Sequence, residues 1–107
     1  MAKFVILYTG GMGMAATPEE QEKIMAEWGG WYGMLGEAVV DGGAPFGAAK
    51  SIAGAGSIAD GPLGDNPATG YTVISADSLD AAAAACSAHP HLNHGGQVQV
   101  FEYIDMS

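Results

Sequence analysis

The chain of 107 residues has no arginine, only three lysines and a single cysteine. Without arginine there is no planar fork to hold a carboxylate or phosphate through two parallel hydrogen bonds. Twelve acidic residues leave a formal net charge of −9, which disfavours nucleic-acid backbones and anionic membranes as partners. Charged residues are still only 14% of the chain, so the acidity is not read as salt adaptation. Cys86 has no second cysteine to pair with, which suits a reducing cytoplasm. Long apolar runs are missing too: none approaches the ~18 residues that cross a bilayer. The run after Met1-Ala2-Lys3 is too short for a secretory signal. Cofactor signatures are also lacking. Gly10-Gly11-Met12-Gly13 has neither the lysine nor the spacing of a phosphate loop, and there is no nucleophile elbow. No bound cofactor is expected.

What is present is apolar and periodic. Hydrophobic residues make up 49% of the sequence, enough for one domain with one modest core. Lys3–Tyr8 reads as a strand with apolar residues on both faces, followed by a glycine- and methionine-rich loop over 9–16. Thr17-Pro18-Glu19-Glu20 is a helix start with a capping box. Ile24, Trp28, Trp31, Tyr32 and Leu35 then recur at helical spacing, and Gly36 supplies the stop. The tryptophans read first as core. Gly29, Gly30 and Gly33 either bring this helix close to the sheet or leave floor space beside its aromatics.

Val39-Val40-Asp41 opens a second extended segment. Ser51–Ala53 and Ser57–Ala59 flank a glycine turn and predict a hairpin, followed by a cluster of turn residues over 60–67. Residues 70–76 form a further strand, and Asp77-Ser78 cap an alanine-rich second helix reaching about Ala88. Cys86 on that helix reads as a small buried hydrophobe. His89-Pro90 ends it, and Gln97–Ile104 is the last strand. The order gives an α+β fold, a ferredoxin-like βαββαβ with an inserted hairpin. Two helices cover one sheet face, while the strands are apolar on both. The second face therefore predicts a homodimer, with sheets packed together.

All three histidines fall within His89-Pro90-His91-Leu92-Asn93-His94-Gly95-Gly96. His94, followed by two glycines that let a ligand approach the backbone, is the candidate general acid or base. Asp41 and Asp60, on loops, are the candidates to orient it. Tyr8 and Trp28 are read as walls of an aromatic pocket, with His91 and Gly95 as further ligand contacts. The alternative for the corner is a zinc-like site of His89, His91 and His94. His89 also has a simpler use, complementing the dipole at a helix C-terminus.

Several stretches occur in an order that resembles the YCII-related proteins, and within them the DGPF subgroup. They are Met25-Ala26-Glu27-Trp28, Val40-Asp41-Gly42-Gly43, Asp60-Gly61-Pro62-Leu63, Gly70–Ile74, Asp77–Ala81 and His94–Val98. The resemblance spans nearly all of residues 1–107, read as a single domain of that type. It implies a dimeric α+β barrel. Members proposed to be enzymes carry a histidine on the first helix and an Asp-Pro after the second. Here Glu27 or Trp28 stands nearest the first place and His89 replaces the aspartate, so the implied His–Asp pair is absent. The DGPF motif ends in Leu63 instead of phenylalanine. The expectation is a dimeric module binding a small molecule or a partner with little or no catalysis. The alternative is a lyase-, isomerase- or dehalogenase-like enzyme using His94.

Overall fold

A computed structural model describes residues 2–10, 17–64 and 66–104, apart from the side chain of His94. Most of the loop expected over 9–16, and Asp65 in the expected turn cluster, lie outside those residues. The architecture is α+β: two helices and an antiparallel sheet. The elements are β1 (Ala2–Gly10), α1 (Pro18–Leu35), β2 (Val39–Pro45), β3 (Lys50–Ile52), β4 (Ile58–Asp60), β5 (Ala68–Ala76), α2 (Leu79–Cys86) and β6 (Gly96–Glu102). The main sheet has the order β2-β5-β1-β6, with every neighbouring pair antiparallel. Among the described residues β3 and β4 pair only with each other. Among the described residues no helix is long and apolar enough to cross a membrane.

Local chemistry explains the helix boundaries. Thr17 caps α1, its hydroxyl oxygen accepting from the Glu20 amide, while the Glu20 carboxylate takes the Thr17 hydroxyl proton. Gly36, at φ +55°, ends the helix as expected, its amide donating to Tyr32. Ser78 caps α2 through the Ala81 amide. That helix stops at Cys86, two residues before the expected end, because the Ser87 amide and hydroxyl both turn back to the Ala84 carbonyl. Residues 90–94, expected as loop, form a 3-10 turn closed by Gly95 in the left-handed region. The last strand ends at Glu102, short of the expected Ile104, although the Tyr103 amide still reaches the Lys3 carbonyl.

One side of the sheet holds the core. Phe4, Ile6 and Tyr8 of β1 and Ile74 of β5 pack against Trp31 of α1 and Ala82 and Cys86 of α2, all at most 3% exposed. Strand register carries Thr72, Gly70, Val98 and Val100 to the same side. Trp28, Tyr32 and Leu35 complete the helical stripe at its rim. The α1 glycines do not serve the expected close approach. A Cβ on Gly29, Gly30 or Gly33 would meet nothing within 4 Å. Gly43, Gly70 and Gly10 bring backbones together in the sheet; a Cβ on Gly43 would overlap the Tyr71 carbonyl.

The opposite side carries Val5 and Leu7 of β1, Tyr71 and Val73 of β5, and Phe101 of β6. Among the described residues no helix packs on it. Val73 is buried at 8% exposure, Val5, Leu7 and Tyr71 are half-buried, and Phe101 is 49% exposed.

Candidate functional site

The helix-side corner gathers rings from four elements. Tyr8 comes from β1, Trp28 and Trp31 from α1, His89 from the link after α2, and His91 from the 3-10 turn. His89 lies 4.2 Å from Trp31, 4.4 Å from Trp28 and 4.8 Å from Tyr8, ring centre to ring centre. Trp28 and Tyr8 meet edge-on at 4.8 Å. Tyr8, Trp28 and His91, expected to share a pocket, are thus brought together.

The hydrogen bonds assign the protons. The His91 amide donates to His89 Nδ1 at 3.0 Å, so that nitrogen must hold a lone pair. Neutral His89 therefore carries its proton on Nε2, which donates to the Tyr8 hydroxyl at 3.0 Å. Tyr8 in turn donates its hydroxyl to Thr72 Oγ1 at 2.7 Å. Tyr32 donates to the Gly42 carbonyl at 2.9 Å, which leaves Thr72 to donate to Tyr32 at 3.0 Å or to Gly42 at 3.3 Å. A directed chain thus runs from His89 through Tyr8 to Thr72 and from there, directly or by way of Tyr32, to the Gly42 carbonyl of β2. His91 is tied down separately, its Nε2–H donating to the Thr9 carbonyl at 2.9 Å. Its ring lies where a Cβ on Gly96 would sit, 2.1 Å from Nε2. The space left by that glycine is filled by His91.

Burial sets the electrostatics. His89 is 1% exposed, and burial, helped by His91 beside it, pushes its pKa down to about 4. At neutral pH it is an uncharged donor–acceptor. Burial also raises the Tyr8 hydroxyl well above its usual value, against the lowering effect of the Thr72 hydrogen bond. Cys86 is buried as expected, its thiol pushed up to about 11 by desolvation, so it is protonated and unreactive at neutral pH. Among the described residues no buried side-chain nitrogen or oxygen lacks a partner.

The remaining candidates lie elsewhere. Asp41 is exposed on β2, accepting from the Gly43 amide at 2.8 Å and from the Tyr71 hydroxyl at 3.0 Å. Tyr71 belongs to the opposite sheet face, and Asp41 holds its hydroxyl proton, raising its pKa. Asp60 ends β4 and pairs with Lys50 across the hairpin. Among the described residues neither aspartate is hydrogen-bonded to His89 or His91. The His94 side chain lies outside the described residues, so its role as acid, base or ligand has no geometry attached. Gly95 is exposed and closes the 3-10 turn through the His91 carbonyl. Among the described residues no three histidine, cysteine or acidic side chains group as metal ligands. His89 itself has both ring nitrogens engaged within the protein.

Sequence reasoning missed Thr72 and Tyr32 as members of the corner, and it misjudged His89. Helix α2 ends three residues earlier, and a buried neutral imidazole gains nothing from a helix dipole. The available signal for Thr72 was strand parity: it alternates with Gly70 and Ile74, the inward set of β5. A shallow cavity of about 560 Å³ adjoins the corner, between α1 and the 3-10 turn, with Lys23, Glu27, Trp31, Met34 and Asn93 in its wall. Compared with known proteins, the chain matches no family model and none of the curated sequences.

Proposed function

We infer that this chain is a homodimeric binding module in which the two sheets pack face to face and which has little or no catalytic activity of its own. The observation that carries the reading is the uncovered sheet face. The chain exposes 7066 Å², whereas a compact monomer of its mass exposes about 5,500 Å². Its radius of gyration is 15.1 Å, against about 13 Å for a compact domain of this length. The surplus of about 1,500 Å² exceeds the roughly 800 Å² per partner of a standard interface. Charge favours the same face. β1 and β5 contain no acidic residue, the one acid of β6, Glu102, pairs with Phe4 on the helix side, and Asp41 of β2, opposite Val73, is the one acid of the sheet in register with the open face. A chain of charge −9 meets itself with least repulsion there.

A ferredoxin-like sheet and a dimeric α+β barrel belong to this reading, as does membership of the YCII-related proteins. Support for the first is the strand order: with the hairpin set aside, the four long strands run second-third-first-fourth. The low catalytic expectation rests on the corner, where His89, Tyr8, Thr72 and Tyr32 satisfy one another. The half-exposed Trp28 and His91 Nδ1 remain as its outward contacts for a small, flat, neutral ligand with a hydrogen-bond donor. Sedimentation equilibrium over a wide concentration range tests the core of the proposal. A dimer is expected at micromolar protein, and a monomer at every concentration would overturn it. Native mass spectrometry on the same sample reads any small molecule retained.

A further inference from the structure

We propose that the β3–β4 hairpin is an arm that lies on the second copy of the chain; this rests on the dimeric reading above. The hairpin is well formed. Lys50, Ser51 and Ile52 pair with Asp60, Ala59 and Ile58; at its base the Ser51 hydroxyl donates to the Gly61 carbonyl and the Gly61 amide to the Ala49 carbonyl. Yet among the described residues neither strand is hydrogen-bonded into the main sheet, and neither makes an extensive contact with it or with a helix. A two-stranded ribbon of this length has marginal stability by itself in water. Its directly opposed Ile52 and Ile58 are 65% and 67% exposed, and Leu63 just beyond it is 76% exposed. Such a cross-strand isoleucine pair stabilises a ribbon chiefly when a third surface covers it.

Continuity and area identify that surface. Phe46, at the root of the arm, stacks on Tyr71 at 6.0 Å, with 26° between the rings. Tyr71 stands on the uncovered sheet face beside Val73 and Leu7. Arm and sheet face therefore form one apolar surface, and an interface that begins on the sheet extends along the arm. The molecule is also flat, measuring 43 × 43 × 18 Å. Half of a two-layer assembly has this shape, and the surplus area is larger than a standard contact needs. Charge does not oppose contact, because the only ions on the two strands, Lys50 and Asp60, neutralise each other.

The test compares the wild type with an arm variant, Ile52→Asp/Ile58→Asp, and a sheet variant, Leu7→Asp, by sedimentation equilibrium. Hydrogen exchange of the hairpin amides is read alongside. The expected results are a wild-type dimer, a monomeric Leu7→Asp, and an arm variant whose dimer dissociates at least about tenfold more readily with an unchanged far-UV spectrum. Hairpin amides should be protected in the wild-type dimer and exchange freely in Leu7→Asp. A wild-type dimer whose arm variant keeps the same dissociation constant would sink the arm while leaving the dimer standing. Hairpin amides that exchange equally fast in dimer and monomer would do the same. A monomeric wild type would remove both.

Discussion

The two faces of the main sheet are made from the same strands and behave differently. Ile6 and Leu7 are adjacent, yet Ile6 is fully buried under two helices and Leu7 is only half-buried, on the side where no helix packs. The covered face mixes large apolar rings with a hydrogen-bonded chain that leaves no buried polar side-chain atom unpaired among the described residues. The open face is apolar in its middle, at Val5, Leu7 and Val73, and polar toward one end, where Asn66 bridges Thr9 and Gln97. One side has completed its chemistry within the chain, and the other has not. Burial of apolar area drives the packing of the first face, and among the described residues no helix supplies the same cover on the second.

The largest expected effect would break this contrast if it is false. Aspartate at position 6 places a carboxylate where water cannot reach it, at a cost of several kcal/mol. That is comparable to the whole stability of a small domain, about 5–10 kcal/mol. Ile6→Asp should therefore be unfolded by far-UV circular dichroism at room temperature. Leu7→Asp should stay folded and lose the dimer, its dissociation constant rising about a hundredfold or more. If both variants unfold, the open face is core of the single chain and the dimeric reading loses its main support.

A smaller effect sharpens the description of the covered face. Thr72→Val keeps the shape but removes the oxygen shared by Tyr8 and Tyr32. The Tyr8 hydroxyl proton then has no acceptor in a buried site, which costs about 2–3 kcal/mol in urea unfolding. Tyr8→Phe leaves the His89 Nε2–H without its acceptor and should cost a similar amount. Because both act on one chain of bonds, the double variant should lose less than the sum of the singles. Strict additivity would mean that the bonds are independent and that the chain has no collective role.

Much of the fold was legible because it rests on short-range rules. The Thr17 cap, the Gly36 stop, the 3.6-residue stripe of α1 and the parity of β1 are local patterns, and each is found where expected. The hairpin was also legible, although its strands start and stop one residue away from the expected bounds. The corner was legible only in part. Three histidines in six positions drew attention to a corner where His89 and His91 do meet Tyr8 and Trp28, but to roles that need exposed lone pairs. What decides the role of His89 is long-range: a hydrogen bond to Tyr8, 81 positions away, and rings from α1 on either side of it. Sequence spacing carries no information about such pairings until strand register is known. Asp41 and Asp60 were attractive for the same reason in reverse. Acids in loops are common, and only the register shows that Asp41 serves Tyr71 and Asp60 serves Lys50.

The smallest of these effects concerns protons on the covered face. His89 ordinarily titrates near 6.5 when unfolded, and in the fold its pKa is pushed down to about 4. Between these values the unfolded chain binds a proton that the folded chain refuses, so stability rises with pH across this window. The contribution is complete above about pH 6.5 and is lost as the pH falls toward 4. The full shift corresponds to at most about 3 kcal/mol. Protonation would also put a hydrogen on Nδ1, facing the His91 amide that now donates to it. General charge effects have the opposite sign, because mild acid relieves the self-repulsion of a chain with net charge −9. A loss of stability between pH 6.5 and 5 is therefore specific to a buried neutral imidazole. Urea unfolding at a series of pH values should show that loss in the wild type and not in His89→Gln. A wild-type stability that is flat or improves on acidification through this window would mean that His89 is solvated, and that the covered face is less complete than its hydrogen bonds imply.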